Sequence, residues 1–237
     1  MKPDVIISWP RNADYPLWRQ MIRDNRGRFN EIIIIFTETN QGLDYRKFVR
    51  GAMFQDHVLF VESPPITAGE DWRNVAVNAG LLHSLHSEWL WFTEQDFFPG
   101  QYFWPPVESH RNSYDVMATY DGPRMHPCCI FVKRSVLQAT KKQFGAHPPE
   151  HDHFGQLQKD LESNLDLRIL ALRGHTYIHM AGLSHNFRLV TDGELPNHQP
   201  EQFNKYLADS LRVSVPKDPR FEEIASAYLN KVNYVFE

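Results

Sequence analysis

The sequence predicts an α/β protein with a mostly parallel central sheet flanked by helices. Continuous apolar runs, typical of strands buried on both faces, recur at about residues 5–7, 32–36, 58–61 and 89–92. Helical apolar patterns separate these runs. Because strands that alternate with helices are joined by right-handed crossovers, the four strands are expected to lie parallel.

Helices are expected between the four strands, over about residues 15–26, 44–53 and 69–82. The third begins after Thr67 and Glu70, whose spacing is that of a capping box. Its apolar residues recur at intervals of three and four. This spacing predicts a buried stripe formed by Trp72, Val75, Ala79 and Leu82.

The second half has a less regular pattern. Pro99-Gly100 and Pro105-Pro106 predict loops after the fourth strand. Further strands are expected at about 115–119, 128–132, 167–172 and 176–180, and helices at about 134–143 and from 151. No internal repeat marks a boundary, so residues 1–237 are expected to form one domain that ends in a helical tail at about 196–237.

Composition restricts the classes of function. A chain of 237 residues with 42% hydrophobic residues suits one domain with a sizeable core. Its net charge of -4 gives no overall attraction to nucleic acid or to anionic membranes. The start lacks the apolar core of a signal peptide, and the run Ile32–Phe36 is too short to cross a bilayer. We expect a soluble, cytoplasmic protein without membrane insertion.

Cys128 and Cys129 are the two cysteines of the chain, and they are neighbours in an apolar run. A strand would place their side chains on opposite faces. The sequence therefore predicts two buried thiols, with no disulfide framework and no cysteine-based zinc site.

Two carboxylates follow the fourth strand directly. Side chains alternate along extended backbone, so Glu94 and Asp96 point the same way while Gln95 points the other. Open α/β sheets bind their ligands at the carboxyl ends of strands. This pair therefore indicates a ligand site, although a solvated strand end remains the alternative.

Six segments with a characteristic order and spacing lie along residues 4–190. They are Ser8-Trp9-Pro10-Arg11, Thr37-Glu38-Thr39-Asn40, Asp71-Trp72-Arg73-Asn74, Glu94-Gln95-Asp96, Glu150-His151-Asp152 and the segment from His179 to Asn186. Together they resemble the motifs of family 2-type glycosyltransferases with the GT-A fold. The sequence departs from the family pattern where Glu94 replaces the first acid of the DxD motif.

The resemblance implies a metal-dependent hexosyl or related transferase. It would move a sugar from a nucleoside-diphosphate sugar, expected to be UDP-linked, to a hydroxyl acceptor. The donor-binding half would span about residues 1–98, and the acceptor half about 99–195. The implied donor-binding residues are Ser8, Trp9, Arg11, Thr39, Asn40, Arg73, Asn74 and Gln95.

The resemblance also implies a site for Mn²⁺ or Mg²⁺, ions that bind carboxylates and water. Glu94 and Asp96 would bind the ion with help from His185 or His179, and the turn that carries His185 favours that residue. Asp152 would be the base that takes the proton of the acceptor hydroxyl. The alternative to metal binding for His179 is a structural place in the core. The alternative to the base for Asp152 is a helix cap.

Two other functions compete with sugar transfer. A nucleotidyltransferase of related fold would be expected to start with a basic, glycine-rich loop, whereas residues 8–12 offer only Arg11. A non-catalytic nucleotide- or sugar-binding module is the second. The acceptor is left open between a saccharide, a protein, a small molecule and a hydroxylated DNA base. A nucleic-acid acceptor would need a phosphate-binding patch, for which the candidates are Arg23, Arg26, Arg28, Lys133, Arg134, Lys141 and Lys142.

Overall fold

The computed structural model describes residues 2–9, 24–36, 58–62, 72–84, 86–94, 97–140, 155–164, 166–172 and 176–179. The strands in these ranges are β1 (Asp4–Trp9), β2 (Ile32–Phe36), β3 (Val58–Glu62), β4 (Trp89–Thr93), β5 (Phe97–Pro99), β6 (Val116–Asp121), β7 (Arg124–Lys133), β8 (Ile169–Ala171) and β9 (Tyr177–His179). The helices are α1 (Trp72–His83), α2 (Trp104–His110), α3 (Arg134–Ala139) and α4 (Gly155–Glu162), and a 3₁₀ turn covers Arg26–Arg28.

Over the described ranges, the main sheet has seven strands in the order β3-β2-β1-β4-β7-β6-β8. β3, β2, β1 and β4 are parallel, which confirms the predicted parallel half. β7 is antiparallel to its neighbours β4 and β6, and β8 is parallel to β6. The chain moves in one direction from β1 to β3 and then returns to the other side of β1. Such a change of direction, here between β1 and β4, is where open α/β sheets bind ligands.

Helix α1 packs against one face of the sheet at close range. A Cβ atom built on Gly80 would lie 2.5 Å from Ile6 Cγ2 and 2.7 Å from Ile35 Cδ1, so the helix backbone itself touches the sheet. Ala79 is buried, as predicted, but Leu82 is 78% exposed. The predicted stripe is therefore wrong at Leu82, because the close approach at Gly80 turns the opposite side of the helix to solvent.

The other face of the sheet carries an aromatic core. Trp91 on β4 stacks on its cross-strand neighbour Phe131, with ring centroids 5.0 Å apart and an interplanar angle of 7°. Phe29 and Trp104 pack against Trp91 at 5.3 and 5.4 Å. Because Trp104 begins α2, this helix covers the face opposite α1. Helices therefore lie on both faces of the sheet, as predicted.

The prediction of a loop at Pro105-Pro106 is wrong, because these residues belong to helix α2. The helix spans Trp104–His110, with proline in its first positions. Proline is tolerated there because the first N–H groups of a helix have no partner within the helix. Trp104 Nε1 donates a hydrogen bond to Asn25 Oδ1 at 2.5 Å, which holds the start of the helix against the chain that leads to β2.

Several predicted bounds in the second half also change. β7 spans Arg124–Lys133 rather than 128–132. Helix α3 ends at Ala139 rather than near 143, because Thr140 is extended with φ -77° and ψ 134°. Residues 15–23 of the helix predicted at 15–26 lie outside the described ranges, as do the helix predicted at 44–53 and the tail at 196–237. In the part of the chain that the structure describes, every helix is too short or too polar to cross a bilayer.

A buried polar network joins the elements at the amino end of β1 and β4. Asp4 accepts hydrogen bonds from Ser84, Ser87 and Asn30 at 2.7, 2.5 and 2.9 Å. Burial raises the pKa of Asp4, but these hydrogen bonds outweigh it and leave that pKa below its ordinary value. Arg134 donates to the carbonyls of Ser84 and Ser87 at 2.7 and 2.8 Å. These contacts hold β1 and β4 together at their amino ends, opposite the carboxyl ends of the parallel strands.

Candidate functional site

Glu94 lies at the carboxyl end of β4, directly after its last residue. Its backbone N–H donates to the carbonyl of Cys128 at 3.4 Å, which extends the pairing between β4 and β7 by one residue. The N–H of Phe97, the first residue of β5, donates to the carbonyl of Glu94 at 3.3 Å. The backbone is therefore fixed on both sides of the Glu94 side chain.

The small sheet formed by β5 and β9 brings His179 to Glu94. Phe97 and His179 are partners in this antiparallel pair. His179 Nε2 lies 3.3 Å from Glu94 Oε2, and the two side chains are 17% and 16% exposed. Charge-assisted N–H···O hydrogen bonds are shorter, at about 2.7–2.9 Å. Two residues predicted as metal ligands are thus neighbours in a nearly buried position.

An irregularity in β7 turns a further side chain toward this position. The register of the β6–β7 pair shifts between Ala118 and Tyr120. Met125 and Ile130 both belong to the core on the α1 side, although residues five apart on a regular strand face opposite ways. The irregularity therefore reverses the alternation, and His126 faces away from that core.

His126, Cys128 and His179 form a compact group of ligand atoms. One ligand atom from each residue lies within 4.8 Å of the other two. The rings of His126 and His179 are 4.5 Å apart, and Cys128 N–H donates to His126 Nδ1 at 3.1 Å. Thr119 Oγ1 lies 3.2 Å from Cys128 Sγ. Glu94 contacts His179 but is not one of the three residues in this compact group. We call the three residues, together with the adjacent Glu94, the edge cluster.

The two adjacent thiols have different surroundings. Both thiols are buried, as predicted, and neither is in a disulfide. Cys129 Sγ accepts a hydrogen bond from Trp91 Nε1 at 3.2 Å. Burial raises the pKa of the Cys129 thiol well above its ordinary value, and the Trp91 hydrogen bond offsets this only in part. The expected absence of a cysteine-based metal site stays a prediction, although Cys128 lies beside His126 and His179, whose side chains could bind a metal ion.

Sequence reasoning missed His126 because the predicted strand began at Cys128. A signal was present nonetheless. His126 and Cys128 are two residues apart, a spacing that places both side chains on the same side of a strand. Imidazole and thiolate are common ligands of transition metals. Histidine and cysteine at this spacing marked the pair for consideration, but the face on which His126 lies depends on the irregularity in β7 and could not be read from alternation.

The edge cluster contains one carboxylate, two imidazoles and one thiol. Mg²⁺ prefers oxygen ligands, whereas transition ions accept nitrogen and sulfur as well. The cluster therefore fits a divalent metal ion, with softer ligands than the carboxylate pair expected from the sequence.

The other predicted site residues are described only in part. The backbones of Ser8 and Trp9 form the last two positions of β1, at the same edge as Glu94. The backbones of Arg73 and Asn74 lie in the first described turn of α1. Their roles in donor binding stay predictions. The predicted residues outside the described ranges are Arg11, Thr39, Asn40, Gln95, Asp96, Asp152 and His185.

Basic residues considered for phosphate binding make contacts within the protein where they are described. Lys133 Nζ lies 2.7 Å from Asp115, and Arg28 forms an ion pair with Glu108. Arg134 belongs to the network around Asp4. These internal contacts, taken over the described residues, do not favour a surface for nucleic acid.

No protein-family model matches this sequence. No curated protein is similar to it at the sequence level. Among solved structures, a mycobacterial protein is similar with 13% identity and a TM-score of 0.48, over 72% of this chain and 65% of that chain. The present chain therefore spans slightly less than two thirds of the mycobacterial one.

Residues 1–349 of S. aureus TarS are similar over 98% of this chain and 71% of that chain, with 15% identity and a TM-score of 0.49. The same fragment in complex with UDP has 16% identity, a TM-score of 0.49 and the same coverage. Similarity of this extent assigns no function, since one fold carries many activities.

Proposed function

We propose that this protein is a metal-dependent glycosyltransferase of the GT-A type. It would transfer a sugar, of the hexosyl or a related class, from a nucleoside-diphosphate sugar, UDP-linked by preference, to a hydroxyl acceptor. The observation that supports this proposal is the contact between Glu94 and His179 at the carboxyl end of β4. This contact lies next to the point between β1 and β4 where the strand order changes direction.

The chemistry of the donor explains why such a pair is useful. When the sugar is transferred, negative charge develops on the departing diphosphate. A bound divalent ion such as Mn²⁺ or Mg²⁺ would neutralise that charge. Glu94 and His179 supply two ligand atoms, and we propose that Asp96 supplies another, with His185 as the alternative histidine.

The position of β1 supports a nucleoside site at the same edge. Ser8 and Trp9 end a strand that is parallel to β4 and paired with it, so both strands present their carboxyl ends together. We propose that these residues, with Arg11, Thr39 and Asn40, contact the nucleoside. Arg73, Asn74 and Gln95 complete the proposed donor-binding set.

Transfer to an acceptor also requires removal of a hydroxyl proton, and we assign this role to Asp152. Asp152→Asn should lower kcat by at least 100-fold and leave donor affinity within about twofold. Undiminished transfer by a folded D152N variant would remove Asp152 as the base.

The decisive assay offers the protein Mn²⁺, a panel of nucleoside-diphosphate sugars and mixed acceptors, and separates the products by mass. Sugar transfer releases a nucleoside diphosphate, whereas transfer of the nucleotidyl group from the same donor releases a sugar phosphate. We expect the diphosphate with one donor and a glycosylated acceptor, with saccharides, small molecules, proteins and hydroxymethylated DNA tested in parallel. Failure to bind or consume any donor would contradict the proposal and favour a binding module for another ligand.

A further inference from the structure

We propose that the edge cluster binds a transition-metal ion of the zinc or cobalt type through Cys128, His126 and His179, in preference to Mg²⁺, with Glu94, which contacts His179, as the candidate fourth ligand. The role of this ion in sugar transfer rests on the proposed function. Its binding does not, because the ligands are defined by contacts within the chain itself.

The spacing of Glu94 and His179 is the first argument. Ligand distances of about 2.1 Å and a tetrahedral angle place two ligand atoms of one zinc ion about 3.4 Å apart. Glu94 Oε2 and His179 Nε2 are separated by 3.3 Å. This spacing suits two ligands that share an ion better than it suits a strong hydrogen bond.

The location of Cys128 is the second argument. Its side chain is buried, and its ligand atom lies within 4.8 Å of those of His126 and His179. The ligand atoms must move about 1 Å closer together to reach the separations found around a zinc ion. Rotation of the side chains can provide this movement. Cys128 would bind as a thiolate, and its proton would leave to the solvent.

A neighbouring hydroxyl supports the thiolate. Thr119 is fully buried, and its Oγ1 lies 3.2 Å from Cys128 Sγ. A hydroxyl that donates to a metal-bound sulfur orients the ligand and stabilises its negative charge. Thr119 is therefore a positioning residue of the proposed site.

His126 is expected to contribute less to metal binding than Cys128 and His179. In the metal-free protein its Nδ1 accepts a hydrogen bond from the Cys128 N–H. This hydrogen bond is lost in either case. The ion takes the place of the donor at Nδ1, or it binds at Nε2 and the ring proton moves to Nδ1, which can then no longer accept. We therefore expect loss of His126 to weaken binding of the ion less than loss of Cys128 or His179 does.

Cobalt absorption tests the site without any sugar donor. Chelator-treated, tag-free protein is titrated with Co²⁺, whose bond to a thiolate gives a charge-transfer band in the near ultraviolet. The chain has two cysteines, so the band can arise only from Cys128 or Cys129. We expect a saturable band at one equivalent, its removal by one equivalent of Zn²⁺, and no effect of millimolar Mg²⁺.

Cys128→Ser and Cys129→Ser are a matched pair of variants. We expect C128S to lose the band and to bind Zn²⁺ at least 100-fold more weakly. This loss exceeds the 10–100-fold typical for residues that only hydrogen-bond to a metal ligand. C129S should keep the band, because its thiol faces Trp91. If near-ultraviolet circular dichroism reports that C129S is unfolded, Cys129→Ala replaces it, since alanine needs no hydrogen-bond partner.

The outcomes separate this inference from the proposed function. Absence of a thiolate band in the wild type, or a band that persists in C128S, overturns the inference. A band that depends on Cys128, in a protein that transfers no sugar, upholds the inference and contradicts the proposed function. Sugar transfer by a wild-type protein that shows no thiolate band upholds the proposed function and overturns the inference alone.

Discussion

Oε2 of Glu94 lies 3.3 Å from Nε2 of His179, and the two residues reach this contact from different sheets. Glu94 follows a strand of the main sheet, whereas His179 ends a strand of the small one. Phe97, three residues after Glu94, pairs with His179 and so brings the two chain segments together. The contact is therefore set by backbone geometry before any ligand is present.

Glu94→Gln removes the carboxylate while its size is preserved. We expect metal-ion affinity to fall at least tenfold, because a neutral amide is a poorer ligand than a carboxylate. Isothermal titration with Mn²⁺ and Zn²⁺ measures the change.

The matched control is Glu108→Gln, which removes an exposed carboxylate paired with Arg28. Its effect on stability should stay within about 0.5 kcal/mol, as for most exposed ion pairs. Equal metal affinity in E94Q and E108Q would contradict the assignment of Glu94.

Thr119→Val removes the hydroxyl next to Cys128 and keeps the shape of the side chain. We expect Zn²⁺ affinity to fall about 10–100-fold, because the thiolate loses an orienting partner. Thr119→Ser should restore most of the affinity, and competition with a zinc-sensitive dye measures all three proteins. A serine variant as weak as the valine variant would mean that packing, rather than the hydroxyl, is responsible.

Gly80→Ala adds a methyl group between α1 and the sheet. The new atom would meet Ile6 and Ile35 at 2.5 and 2.7 Å. Overpacking of this kind costs about 1–3 kcal/mol, which exceeds the roughly 1 kcal/mol gained from helix propensity. Urea denaturation should therefore give a lower midpoint. Gly27→Ala has no atom within 4 Å of the added carbon and should leave the midpoint nearly unchanged.

Asp115 predicts a pH dependence of stability. Burial raises the pKa of this carboxyl, but hydrogen bonds from Arg168 and Lys133 outweigh it and lower the pKa from 3.8 to about 2. A lowered pKa in the folded state stabilises the protein above the unfolded pKa, and this contribution disappears as pH falls through about 2. Asp115→Asn should therefore lose stability at neutral pH but little near pH 2.

The expected loss at pH 7 is about 1 kcal/mol, less than the full pKa shift implies, because the Arg168 side chain is 56% exposed and screened by water. Urea unfolding at several pH values measures it. Asp166→Asn, which changes an exposed acid two residues before Arg168 in the sequence, is the control and should follow the wild type. A difference between D115N and the wild type that grows toward low pH would contradict the argument.

The parallel half could be predicted because each of its strands is a local apolar run. Residues 32–35 and Trp89–Thr93 are buried on both faces, so their composition alone identifies them. The alternation with helices then determines the direction of the strands. Helix α2 could not be predicted in this way, because proline is typical both of loops and of the first turn of a helix.

The edge cluster was only half predictable. Glu94 follows a recognisable strand, but its contact with His179 depends on a pairing between two three-residue strands that have no distinct pattern. The side on which His126 lies depends on the irregularity opposite Ala118 and Tyr120. Bulges of this kind leave no apolar period in the sequence, so the face of a side chain beyond them cannot be read from alternation.

The position of the Asp4 and Arg134 network has a consequence for redesign of this protein. The network anchors the sheet at one end of β1 and β4, and the edge cluster lies at the other end of the same strands. Substitutions that exchange ligands in the cluster leave the anchor untouched. Variants with altered metal or substrate preference can therefore be sought at one end while the other end keeps the sheet assembled.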